Sequence, residues 1–393
     1  MAAGDWSIMP KVISMIAAHA HRVHSLRFLG PPELQLRLLA TAQGLPALRY
    51  CYLRDSFSSA YYTIEPIPSS PELSAALKSG SHDPLALEKF HANGRWAHSL
   101  FKRIDVKALR ELNLLGVWIS PESIHCLIHC SVLETLDITT HKLRIPDPIA
   151  LPTVRRLLIR GEPQDLGIFF SSLPVLEHLS IMNGRYLVSW NESLDSPYLQ
   201  KALNAMSNAG SASILLHPLP NLPSLLSLTM DSSTSDETLE VLHSSSIVKR
   251  IHLHGTANLS PILRFIAFNE CKEKDQDGDD LMTPETSHFR DLDLLRLWAA
   301  DEDPLSQGTP SEYLAQNEDV PGVVRLLAHL LKTRPALHVE IGFANQRWPM
   351  GSFRELETQY GDRINIRYKS SEERDWYEIT RLGYIPLPET FKG

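Results

Sequence analysis

The sequence has no surplus of positive charge. Lysine and arginine number 38 against 46 aspartates and glutamates, a net charge of −8. Duplex nucleic acid calls for a strong basic excess, so the balance argues against that partner. Cysteine is scarce. Cys51, Cys126, Cys130 and Cys271 are too few and too unevenly spaced for a disulfide framework, which points to a reducing compartment. Long hydrophobic runs are missing: no stretch reaches about 18 apolar residues, the length of a membrane span. The opening segment carries Asp5 and Trp6, and Lys11 interrupts its apolar run, unlike a secretory signal. There is no G-x-S-x-G, no P-loop, and no G-x-G-x-x-G following a strand, so no motif points to nucleophilic, nucleotide or dinucleotide chemistry.

Aliphatic residues, by contrast, are plentiful and patterned. The 393 residues are 43% hydrophobic, enough to bury a large core as one long array or two compact domains. "VLETLDI" from Val132 and "VLEHLSI" from Val175 share five of seven residues. Written as apolar-x-x-apolar-x-apolar, one match carries little, because about 8% of windows fit by chance. The spacing carries more. Leu109, Leu112 and Leu114 fit first, and Leu133, Leu136 and Ile138 follow 24 residues on. Val154, Leu157 and Ile159 come 21 further, and Leu176, Leu179 and Ile181 another 22. The register extends to Leu225, Leu228 and Met230, to Val248, Ile251 and Leu253, and to Phe289, Leu292 and Leu294. Upstream, Val23, Leu26 and Phe28 fit, as do Leu48, Cys51 and Leu53.

The end of each motif alternates and predicts a short strand with one buried face. One strand cannot bury that face alone, but stacked neighbours can. The chain must return between strands. "SPESIHCLIHC", from Ser120 to Cys130, predicts a helix capped by Ser120, and "PQDLGIFFSSLP" predicts another. The expected fold class is therefore α/β: an irregular solenoid with parallel short strands on a concave face and helices or loops on the convex one.

A period of 20–29 residues carrying L-x-x-L-x-L is the leucine-rich-repeat signature. The unit "LRELNLLGVWISPESIHCLIHCSVLETLDI" resembles the cysteine-containing subclass, with Cys130 ending the helix before the next strand. "IAAHAHRVHSLRF" is similar to the segment after the F-box in fungal F-box-like proteins. The resemblance implies an intracellular protein, cytoplasmic or nuclear, that binds a protein partner, and substrate recognition in an F-box-type ubiquitin ligase. No F-box is found in the sequence, so an adaptor role requires one elsewhere. No cofactor, nucleic acid or membrane is expected.

The expected organisation is an N-terminal helix with first repeats over 1–53, an irregular Ser/Pro-rich insertion over 54–108, and a solenoid over 109–300. The solenoid is interrupted at 184–222, which contains a helical "SPYLQKALNAMSNAG", and at the charged stretch 270–287. Residues 301–393 hold an acidic loop and then α/β repeats or a cap. There "VVRLLAHLLKTRP" and "GSFRELETQYG" predict helices, and "ALHVEIGF" and "RINIRY" predict strands.

Candidate chemistry is sparse. His125, Cys126, His129 and Cys130 are zinc-ligand types, but a structural site needs four ligands and no second cluster sits at a matching distance; no metal is expected. "EKDQDGDDLMTPE" imitates a calcium loop but has Pro284 where a bidentate glutamate is required. His252 and His254 share one side of a strand, and with other histidines would line the cleft of the alternative reading, a hydrolase-like enzyme on an α/β scaffold. "HAH" at His19 to His21 suits a helix end. The favoured reading expects no catalytic residues. It puts binding on the residues between the core positions, facing the concave side. These are Glu111, Asn113, Thr135, Asp137, Arg156, Leu158, Arg160, His178, Ser180, Arg250 and His252, with Arg156 and Arg160 as anchors.

Overall fold

The alternating ends of the repeated motif form strands, and all of those strands run parallel. The computed structural model describes residues 9–29, 45–54, 86–93, 104–115, 126–139, 148–160, 167, 169–182, 220–231, 239, 241–243, 245, 247–254, 259–268, 289–299, 320–343 and 350–368. The chain divides into two units, Met1–Leu173 with Asn183–Pro220, and Pro174–Met182 with Asn221–Gly393. The boundary falls inside the 109–300 stretch, beside the interruption expected at 184–222.

The first unit holds β1 (Ser25–Leu29), β2 (Tyr50–Arg54), β3 (Lys89–Asn93), β4 (Glu111–Leu115), β5 (Thr135–Thr139) and β7 (Arg156–Arg160). They pair in that order, each parallel to the next. Between β5 and β7 runs β6 (Ile149–Ala150), which pairs parallel with β8 (Phe170–Ser172) in a separate small sheet. Register sets two apolar columns: Leu26, Cys51, Phe90, Leu112, Leu136 and Leu157, then Phe28, Leu53, Ala92, Leu114, Ile138 and Ile159. All but Phe28 are buried. Each large buried aliphatic side chain contributes about 1.5–3 kcal/mol, so the columns are the principal apolar contribution to this unit.

The second unit repeats the arrangement with β9 (His178–Met182), β10 (Ser227–Asp231), β11 (Arg250–His254), β12 (Leu294–Ala299), β13 (His338–Phe343) and β14 (Ile364–Tyr368). They also pair parallel in chain order. Leu179, Leu228, Ile251, Leu295, Val339 and Ile364 form one column.

The turn before each strand recurs as well. The amides of Leu48, Leu109, Leu133, Leu225, Val248 and Leu292 donate to the carbonyl three residues back, at 3.1–3.3 Å. Those carbonyls belong to Leu45, Val106, Cys130, Leu222, Ser245 and Phe289. Two amides of the next strand then share one carbonyl. Arg110 O accepts from Glu134 and Thr135 at 2.8 and 3.0 Å, and Leu226 O from Lys249 and Arg250 at 3.0 and 3.1 Å. This accounts for Cys130. It is the buried anchor of a turn, and burial, then Cys126, pushes its thiol up to about 12. The thiol is neutral packing material there.

The turn also corrects one register. Phe289, Leu292 and Leu294 are not a motif; Phe289 anchors the turn, and Leu292, Leu295 and Leu297 supply the three core positions. Both triplets fit the pattern, and only the turn distinguishes them. The repeat of β13 departs by one residue. Leu337 closes the turn on Arg334, but Val339 follows after two residues instead of three.

Further differences concern connections. β3 lies inside 54–108, where an irregular insertion was expected, and occupies a full register place. The return helix expected at 163–174 gives way at Phe170 to β8, where Phe169 and Phe170 pack with ring centroids 6.3 Å apart. Of the 120–130 helix only Cys126 onward is described, and Leu127–His129 form a 3-10 turn. The helix expected at 196–210, the charged stretch 270–287 and most of the acidic loop after 301 lie outside the described residues.

Four helices are described: α1 (Met9–Ala18), α2 (Leu259–Phe268), α3 (Val320–Thr333) and α4 (Met350–Tyr360). The sequence pattern predicts α3 and α4; α2 is an addition, held by Leu259, Ile262, Leu263, Phe265 and Ile266 on its buried face. α2 packs on α3, and α3 on α4. Arg334 Nη2 donates to the Ile266 carbonyl at 2.7 Å, filling an acceptor in the last turn of α2. Arg363 Nη1 does the same for Leu331 in α3 at 2.8 Å. Gly361 follows α4 at φ 57°, a left-handed value that lets the chain turn away from the helix. Among the described residues no helix is long and apolar enough to cross a membrane.

Candidate interaction surface

Successive side chains of a strand point to opposite faces, so residues between the two columns share the face away from them. In the first unit register aligns two such rows. One runs Ser25, Tyr50, Lys89, Glu111, Thr135, Arg156; the other runs Arg27, Tyr52, His91, Asn113, Asp137, Leu158.

Glu111 organises the centre. Lys89 Nζ and His91 Nε2 each lie 2.8 Å from one of its carboxylate oxygens. The hydrogen bond from His91, helped by Lys89 and opposed by burial, holds the Glu111 carboxyl down at about 2. The His91 ring lies 5.9 Å from that of Tyr52, and the Arg27 guanidinium sits 5.1 Å over the Tyr52 ring. Lys89 Nζ is 6.0 Å from the Tyr50 centroid. Just before the strands, Arg49 pairs with Glu88 at 3.8 Å and Arg110 with Glu134 at 2.6 Å. This face is preorganised: its side chains hold one another across strands, which reduces the entropy lost on binding.

Asn113 and Asp137 do not belong to an accessible surface, contrary to expectation. They are 2% and 4% exposed, and Asn113 Nδ2 donates to Asp137 Oδ2 at 2.9 Å. Facing away from the columns does not guarantee solvent; the pair bonds to itself across adjacent strands, and Asn113 Oδ1 is buried with no hydrogen-bond partner among the described residues. Of the other expected positions in this unit, Arg156 is exposed, and Glu111, Thr135 and Leu158 are half-buried. Arg160 is placed on the backbone of β7, and its side chain lies outside the described residues.

The second unit carries the remaining expected positions. One row runs His178, Ser227, Arg250, Leu294, His338, the other Ser180, Thr229, His252, Arg296, Glu340, Asn365. His178, Ser180 and His252 are half-buried and Arg250 is exposed. Arg250 lies 3.9 Å from Asp293, and Arg296 reaches Glu340 at 2.7 Å. Burial, then the neighbouring Arg296 charge, lowers His252 to about 4. It is neutral at pH 7, and its Nε2 is buried with no hydrogen-bond partner among the described residues. The His254 side chain lies outside the described residues. Among the described residues no group of three or more histidines, cysteines or carboxylates is placed to hold a metal ion.

Sequence reasoning missed Arg27, Tyr50, Tyr52, Lys89 and His91. The signal was present in "HSLRF", "YCYLR" and "EKFHAN", where polar or aromatic residues alternate with core positions. No protein-family model matches the chain, and no curated protein matches it.

Proposed function

We propose that the chain is a leucine-rich-repeat solenoid serving as a protein–protein interaction module, with a protein partner bound on the strand face opposite its apolar columns. The observation that carries this reading is the first unit's cross-strand assembly of Arg27, Tyr52, His91, Glu111 and Lys89 on in-register parallel strands. Tyrosine and arginine are the residue types that most often anchor interfaces. Strand order within each unit follows the chain without reversal, as in a repeat array, so neither unit has the switch point where open α/β enzymes place ligands. That weighs against a hydrolase-like enzyme, even with His91 oriented by a carboxylate. The resemblance to F-box-like proteins adds a finer element, an intracellular role in presenting the partner for ubiquitylation. That step requires an F-box elsewhere.

The test is a double variant, Tyr52→Ala with Arg156→Ala, assayed against a partner isolated from the native host. Binding weakens by about tenfold or more while unfolding is little changed, an effect of about 1.4 kcal/mol or more. Full binding by that variant overturns the reading.

A further inference from the structure

Six side chains make one chain of contacts on the first unit's strand face. Arg27 lies over Tyr52, Tyr52 rests against His91, His91 and Lys89 share Glu111, and Lys89 lies over Tyr50. The carboxylate of Glu111 offsets the charge of Lys89 and accepts the hydrogen bond of His91. Arg27 is different: it is exposed and has no carboxylate partner among the described residues. A guanidinium over an aromatic ring is restrained by it, and its fork of N–H groups remains free to donate to a carboxylate. Leu29, two residues on along the same face of β1, is 56% exposed, and Tyr50 is 39% exposed, so apolar surface flanks the fork.

Resting on the function proposed above, we propose that this patch captures an extended acidic segment of the protein partner, with a carboxylate on the Arg27 fork and apolar side chains against Leu29 on one side of it and Tyr50 on the other. Charge complementarity selects this occupant. A single-stranded nucleic acid would carry successive phosphates past Glu111, which repels them. A peptide can place one carboxylate at Arg27 and a neutral or basic residue opposite Glu111. The aromatic platform adds contact area at little entropic cost, because the ring contacts already restrain it.

Fluorescence anisotropy of the full chain tests this with three labelled probes: a Gly/Ser peptide bearing a central Glu-Glu-Leu-Glu, the same peptide with lysine for glutamate, and single-stranded oligouridine. The acidic peptide binds, and its affinity falls as salt rises. Arg27→Gln and Arg27→Glu weaken it by about tenfold or more, and Arg27→Lys also weakens it, because lysine keeps the charge without the fork. Glu357→Gln on α4 leaves it unchanged. Circular dichroism of each Arg27 variant matches the parent, since the residue is exposed. Equal binding of the lysine peptide, tighter binding of oligouridine, or indifference to Arg27→Gln overturns the proposal. If the acidic peptide fails while Tyr52→Ala with Arg156→Ala still abolishes partner binding, the acidic occupant is wrong and the interaction face stands. If that variant has no effect either, both fall.

Discussion

The side-chain amide of Asn113 donates to the carboxylate of Asp137 at 2.9 Å, from one parallel strand to the next, in a position shielded from solvent. A buried carboxylate that loses a donor retains its desolvation cost. Asn113→Ala therefore lowers unfolding stability by about 1–3 kcal/mol. A double-mutant cycle with Asp137→Ala returns a coupling of about 0.5–3 kcal/mol. Urea unfolding measures both, and strict additivity would contradict the pairing.

Glu111 gives the first unit a dependence on acid. Its carboxyl is held down from 4.5 to about 2, chiefly by the His91 hydrogen bond and also by Lys89. A depressed carboxylate stabilises the fold above its unfolded value, and the contribution is lost as pH falls from about 4.5 to about 2. Glu111→Gln removes that component. The stability difference between parent and variant shrinks across this window, read from denaturant midpoints at each pH. A constant difference would mean that Glu111 is not linked to folding.

Ser245 occupies the turn position that Cys130 fills in another repeat. It is buried, and its hydroxyl has no hydrogen-bond partner among the described residues. Ser245→Cys removes that desolvated hydroxyl and raises stability by about 1 kcal/mol. A destabilised variant would show that the two turns are not equivalent.

Arg334 closes the end of α2 through the Ile266 carbonyl, and burial lowers its own pKa to about 10, so it remains charged at neutral pH. Arg334→Met keeps much of the packing and removes the donor. It costs about 1.5–3 kcal/mol, the range for a hydrogen bond to a charged group. Native-state hydrogen exchange localises the loss to the last turn of α2. Exchange faster only elsewhere would assign Arg334 another role.

Much of the strand scaffold was legible, because aliphatic residues at fixed intervals leave few alternatives. Leu112, Leu136 and Leu157 stand in register as the spacing requires. The missed strand has one cause: the motif is plainest in its most aliphatic members. β3 uses Leu87, Phe90 and Ala92, and an aromatic with a small residue hid it within a Ser/Pro-rich stretch. The same cause hid the neighbouring Tyr52–His91–Glu111 arrangement, which needs β3 between β2 and β4. The turn anchor was invisible for the opposite reason. Leucine, cysteine, serine, phenylalanine and arginine all serve there, and only the recurring backbone hydrogen bond unites them. Burial of Asn113 and Asp137 depends on what surrounds the face, which alternation within a strand does not encode.

The central claim is that the strand face of the first unit meets a protein. The most direct measurement replaces single residues by a photo-crosslinking amino acid and irradiates the chain in native host extract. Face positions Tyr52, Thr135 and Arg156 are compared with the exposed turn positions Lys107, Ser131 and Pro152. The account predicts one protein crosslinked from all three face positions and from none of the turns. Crosslinks to that protein from the turn positions alone would contradict it.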